Sequence, residues 1–180
     1  MNSRNGRLVG ASAFADDFTS HIDLHHTACL VYAERMLGSR ADAEDAVQDT
    51  WLRAFRAYAR YDQSRPFRPW LFRILVNTVG SHLRQRKRWW SRWIDSVDPD
   101  AVESTTHEPA NVHIDAVRIA VVDLPPTLRE AFLLKYVSQM SYAEMSEVTG
   151  ASVSALKMRV NRAVATLRPQ LEQMERSHEP

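Results

Sequence analysis

The chain has 180 residues, 44% of them apolar and 25% charged, with a net charge of +1 and one cysteine, Cys29. This suits one large or two small soluble domains, excludes an internal disulfide, and leaves no apolar run near the ~18–20 residues of a membrane span. The near-neutral total hides a partition: residues 1–94 carry 15 Lys/Arg against 9 Asp/Glu, 95–117 carry six acids and no Lys/Arg, and 118–180 carry 8 against 7. With no secretory leader and no disulfide, a cytoplasmic location and no membrane insertion are expected.

Helical periodicity dominates and strand alternation is missing, which predicts an all-α protein. Residues 1–17 read as a loose tail. A first helix over about 18–37 places Cys29, Leu30, Ala33 and Leu37 on one face and stops at Gly38. A second, over about 41–59, turns Ala43, Val47, Thr50, Ala54 and Tyr58 inward, while Asp45, Gln48, Asp49, Leu52 and Arg56 lie opposite. Acids in its first turn suit the helix dipole, so part of this acidity is helix stabilisation. Leu52, ringed by polar groups, suits a protein interface, although single exposed leucines are also ordinary.

A loop at 60–66 leads into a third helix from about Pro66, whose core face is Phe67, Leu71, Ile74, Leu75 and Thr78. Its opposite face repeats Arg73, Asn77, Gly80, Arg84 and Lys87. Residues 63–94 hold eight Lys/Arg and six aromatics without one acid. Positive charge attracts phosphates and aromatic faces stack on unpaired bases, so a nucleic-acid partner with single-stranded character is expected. Trp89, Trp90 and Trp93 fit either base stacking or packing as core.

Residues 95–112, with two prolines and no apolar period, read as a flexible acidic linker. A second helical domain over 113–170 breaks at Leu124-Pro125-Pro126, resumes to about Val137, and ends in two short helices near 141–149 and 152–168; a tail at 171–180 follows. Ser141 and Glu144 form a capping box, and Gly150 suits the turn between crossing helices. On the last helix Val153, Leu156, Val160, Ala163 and Leu167 share the core face. Ser154, Ala155, Met158, Asn161 and Arg162 lie opposite, flanked by Lys157 and Arg159. Small residues at such a helix start allow close approach to base edges, and cations grip phosphates. This is a helix-turn-helix pattern, which an ordinary hairpin with a solvated face also satisfies. His25, His26 and Cys29 lack a distal ligand, so no metal or cofactor is expected, and no nucleophile–base signature suggests an enzyme.

Three ordered stretches together resemble the extracytoplasmic-function (ECF) sigma factors of bacterial RNA polymerase. They are YAERMLGSRADAEDAVQDTWLRAF at 32–55, RPFRPWLFRILVN at 65–77, and LPPTLREAFLLKY at 124–136 followed by SYAEM at 141–145. The resemblance covers about 18–94 and 115–168 and implies two small helical domains joined by the acidic linker. It implies that Asp45, Gln48, Asp49 and Leu52 dock on the clamp helices of the polymerase largest subunit. It assigns Asp62, Arg65, Phe67, Arg73, Asn77, Arg84 and Lys87 to melting and reading the −10 promoter element. Ser154, Ala155, Lys157, Met158, Arg159 and Arg162 would read the −35 element in the major groove. It also implies an anti-sigma factor as regulator. An ordinary helix-turn-helix regulator, acting without polymerase, would need neither the acidic helix nor the acidic linker.

Overall fold

The computed structural model describes residues 5–94 and 119–176, with side chains over 16–86, 119–169 and at 172. Helices α1 (Asn5–Leu37), α2 (Arg40–Tyr58) and α3 (Phe67–Ile94) form an N-terminal unit. A short helix α4 over 119–123, then α5 (Pro126–Phe132), α6 (Tyr142–Thr149) and α7 (Val153–Arg176) form a C-terminal one. No strand occurs among the described residues. The linker lies outside them, as do the side chains of Lys87, Trp89, Trp90 and Trp93.

Local chemistry sets the boundaries. Gly38 takes a left-handed φ of 72° and its N–H donates to the Glu34 carbonyl at 2.8 Å, ending α1. Ser39 then caps α2, its hydroxyl accepting from the Asp42 N–H at 3.3 Å. A Cβ on Gly38 would stand 3.4 Å from Val122 Cγ1 of the C-terminal unit, and an L side chain is strained at that φ. Gly38→Ala is therefore expected to lower the unfolding free energy by about 1–2 kcal/mol, read by urea denaturation.

Pro125 and Pro126 end α4 and start α5, with Pro126 in the first helical turn, where its missing N–H costs nothing. Past Phe132 the helix widens into a π-turn over Leu133–Val137, closed by Ser138 N–H to the Leu133 carbonyl at 2.8 Å. Gln139 follows at φ 49°.

In the N-terminal unit α1 and α2 form a hairpin joined by Gly38-Ser39, and α3 packs across both. All the inward residues expected on α1 and α2 are buried, as are Leu71, Leu75 and Thr78 on α3; Tyr32 and Phe72 meet edge-to-face at 5.9 Å in the same core. Buried Thr50 and Thr78 satisfy their hydroxyls on the carbonyls of Ala46 and Ile74 at 2.7 and 2.9 Å. In the C-terminal unit Leu133, Leu134, Met145, Leu156, Val160 and Ala163 are buried.

Three expectations change. The N-terminal segment is helical from Asn5 rather than loose to residue 17, since nothing stronger than glycine interrupts a run rich in alanine. α7 continues to Arg176, passing Pro169 inside the helix. Val153 is 39% exposed, because it sits in the first turn of α7, where the solvent-facing Ser152 and Ser154 flank it.

The two units share a seam. α6 packs on α3, while α5 and the π-turn touch α1. Arg129, 7% exposed, crosses it, donating to the Met36 carbonyl at 2.6 Å. Three buried polar atoms at or beside it have no protein partner: Tyr32 Oη, Arg129 Nε and Ser138 Oγ. Each such atom costs about 1–3 kcal/mol, so this contact is less favourable than its apolar area implies.

Candidate functional site

Three surfaces carry the residues singled out by the sequence. On α2, Asp45 and Gln48 are exposed and Leu52 is half-exposed, as is Phe55 one turn farther on. The sequence reading missed Phe55, although the three-residue spacing from Leu52 puts both on one face. Beside them runs a groove of about 490 Å³ between α1 and α2, floored by Phe18, Ile22 and Trp51. Asp49 is set apart: its Oδ2 lies 3.2 Å from His82 Nε2 on α3, which half-covers it.

On α3, Arg73, Asn77 and Arg84 form an exposed row. Gly80 sits between them, and only Arg84 Nη1, at 3.4 Å, approaches the position a Cβ would take, so the helix backbone there is open. Arg84 Nη2 donates to Ser81 Oγ at 3.0 Å. In the preceding loop Asp62 accepts from the Ser64 N–H and hydroxyl at 3.0 and 2.7 Å, which holds its carboxyl below the usual range. Asp62 thus shapes the loop that presents Arg65.

Phe67 is placed differently from an exposed stacking platform. It is 8% exposed, with the His21 ring stacked on it at 3.7 Å and 7°, and Tyr58, Tyr61 and Trp70 around it. Tyr61 and Trp70, themselves in contact at 4.7 Å, are the part-exposed rings of this cluster; Trp70 is one of the six aromatics of the acid-free run, and Tyr61 lies just outside it. The His25, His26 and Cys29 trio does not converge on a common point among the described residues. Cys29 is fully buried, which pushes its thiol up to about 12.

At the C-terminal end the capping box is complete. Ser141 Oγ accepts from the Glu144 N–H at 3.2 Å, and Glu144 accepts from the Ser141 N–H at 2.8 Å. Gly150, at φ 74°, turns the chain into α7, whose first turn is closed by the Ala155 N–H donating to Ser152 Oγ at 3.3 Å. This fixes α7 with Ser154, Lys157, Met158 and Arg162 exposed and Ala155 and Arg159 half-buried. Lys157 Nζ stands 5.8 Å over the Tyr142 ring, tying the exposed face of α7 to α6.

This helix-turn-helix follows an acid-studded hairpin and a basic helix, and known families share that order. The sigma-70 region 2 model matches residues 21–89, and the sigma-70 region 4 model matches 115–167. The RNA polymerase sigma factor CnrH of Cupriavidus metallidurans is 33% identical over 153 residues, which span 79% of this chain and 80% of that protein. The chain belongs to the ECF sigma factors of bacterial RNA polymerase. EcfG of Rhodopseudomonas palustris, an ECF sigma factor, is 31% identical, with 76% and 75% covered. Among solved structures, the sigma factor RpoE of Bartonella quintana, in complex with the anti-sigma factor NepR, superposes with a TM-score of 0.73 at 28% identity. That match covers 87% of this chain and 97% of RpoE. CnrH in complex with the cytosolic domain of CnrY gives 0.67 at 26%, over 96% and 98%.

As an ECF sigma factor the chain binds core RNA polymerase and directs it to promoters through the −10 and −35 elements, opening the former. Sigma factors are DNA-binding initiation factors. No helix among the described residues of this sigma factor is long and apolar enough to cross a membrane.

Proposed function

We propose that this sigma factor divides its work by segment. Residues 18–94 dock on core polymerase and handle the −10 element, 95–112 bridge, and 113–170 read the −35 element. The single observation that carries the −35 assignment is the exposed row Ser154, Lys157, Met158 and Arg162 on a helix whose entry is fixed by a complete capping box and Gly150. Ala155 and Arg159, at its edge, complete the reading set. Promoter selection followed by sequencing tests it: a position-dependent −35 preference is expected, and unbiased recovery overturns the reading. Arg162→Ala is expected to weaken binding to the selected −35 duplex by about 1–3 kcal/mol, with equal binding to a scrambled duplex counting against base readout.

On the polymerase side, Asp45, Gln48 and Leu52 form the docking face, with Asp49 at its edge held by His82. Phe55 and the α1–α2 groove add an apolar component. Asp62, Arg65, Arg73, Asn77, Arg84 and Lys87 face the −10 strand. Phe67 supports the loop from inside, and Tyr61 and Trp70 offer the accessible rings. The factor acts in the cytoplasm without catalytic chemistry of its own. It is controlled by an anti-sigma factor, as the complexes of the two structural relatives suggest.

A further inference from the structure

The seam between the units is closed at two points. Arg68 Nη2 donates to the Ser138 carbonyl, and Val122 packs against Gly38. Between α1, α3 and α5 it opens into a cavity of about 770 Å³. Small-molecule sites run from about 300 to about 1,000 Å³. The lining divides by chemistry. Met36 on α1, Leu83 on α3 and Pro126 on α5 form an apolar wall, and Arg84, Arg86 and Arg129 bring three guanidiniums to it. The acid of the lining is Glu130, and burial raises its pKa toward the neutral form, against the pull of Arg159. The cavity therefore sets net positive charge beside apolar area.

The three arginines differ in what they can offer. Arg129 is fixed on main-chain carbonyls and its buried Nε has no protein acceptor, so it contributes charge rather than a mobile contact. Arg86 Nη1 donates to the Leu37 carbonyl at 2.7 Å and lies 3.5 Å from Asp42 Oδ2. Arg84 Nη2 donates to the neutral Ser81 hydroxyl at 3.0 Å. Arg84 and Arg86 are exposed, and a guanidinium carries more N–H donors than these acceptors use. After burial, the nearness of Arg86 is the next cause that lowers the Arg129 pKa, and an anion beside two like charges relieves their repulsion. A purely polar anion would leave the wall of Met36, Leu83 and Pro126 wet. A neutral apolar molecule would leave the guanidiniums unanswered.

We propose that this cavity binds an amphipathic organic anion, its carboxylate or phosphate head on Arg84 and Arg86 and its apolar body against Met36, Leu83 and Pro126. Arg84 also belongs to the −10 row, so ligand and −10 strand draw on one guanidinium and compete. That consequence rests on the −10 assignment above; binding at the cavity does not.

The test titrates octanoate, octyl phosphate and octanol into the full chain with isotope-labelled methionine methyls, followed by NMR and calorimetry. Saturable binding of the anions is expected, with the Met36 methyl signal moving and that of exposed Met158 on α7 staying in place. Octanol is expected to bind about tenfold more weakly, the worth of a hydrogen bond to a charged group. The tighter of the two anions names the head. Thr127, exposed at the rim on α5, supplies a test of sign: Thr127→Lys is expected to tighten octanoate binding and Thr127→Glu to weaken it, each about threefold. Leu83→Trp fills the cavity and is expected to remove binding. No saturable binding, equal affinity for octanol, binding that leaves Met36 unmoved, or one affinity in both Thr127 variants overturns the site. Saturating octanoate is expected to weaken binding of a single-stranded −10 oligonucleotide several-fold. Unchanged strand affinity overturns the competition, and a chain that binds octanoate but never the strand overturns the −10 assignment instead.

Discussion

Arg129→Ala is expected to lower the unfolding free energy by about 3 kcal/mol or more, read as a shift of the urea midpoint. The side chain is 7% exposed, and its guanidinium serves three carbonyls: Met36 at 2.6 Å, Leu124 at 3.0 Å, and Val122. Local chain chemistry explains the need. Pro125 and Pro126 have no N–H, so the backbone after Leu124 supplies no donors there. Met36 lies in the last turn of α1, where carbonyls have no helical partner and a cation meets the negative end of the dipole. Burial, then the nearby Arg86, lower the Arg129 pKa, yet a guanidinium remains charged in proteins. Truncation strands three carbonyls at once. Lysine keeps the charge but not the fork, so Arg129→Lys should recover less than half of the loss. A midpoint within experimental error of wild type for Arg129→Ala would show that the carbonyls find other donors.

Nothing in the sequence pattern singles out that residue. In a helix whose apolar positions are Leu128, Ala131 and Phe132, an arginine reads as a solvated charge, and the carbonyls it serves come from distant turns. The same limit applies to Phe67: periodicity puts it on the core face of α3, where it is buried, but does not reveal that His21, on another helix, stacks on the ring. Asp49 follows the spacing of Asp45 and Leu52, yet the middle of α3 passes close enough for His82 to reach it. Where signals are local, the reading is accurate. Cys29, Leu30, Ala33 and Leu37 are buried as their 3.6-residue spacing predicts, Gly38 takes the left-handed turn, and Ser141 with Glu144 builds the predicted capping box. Periodicity reports which face goes inward, but not what that face meets. The seam between the units, joined by Arg68, Arg129 and Val122, was illegible for that reason.

Leu52→Glu separates two accounts of the proposed polymerase-docking face by sign. If docking were chiefly electrostatic, through Asp45 and neighbouring acids on a cationic partner, another carboxylate on α2 would leave binding unchanged or strengthen it, most at low salt. If the apolar patch dominates, the charge must be desolvated against the partner and binding falls. The geometry favours the second. Leu52 is 50% and Phe55 49% exposed, on one face beside a groove floored by Phe18, Ile22 and Trp51, so apolar area already lies open and preformed. Such central apolar anchors cost about 2 kcal/mol or more when lost, so co-elution with core polymerase should weaken by about 30-fold. Half-exposed Leu52 contributes little to the folded state, so the urea midpoint should move by no more than the equivalent of about 0.5 kcal/mol and −35 duplex binding should be unchanged. Phe55→Ala should weaken docking in the same direction and Gln48→Ala much less, since the latter removes a polar group from the rim. Tighter binding of Leu52→Glu at low salt would reverse the assignment and make Asp45 the residue that holds the clamp.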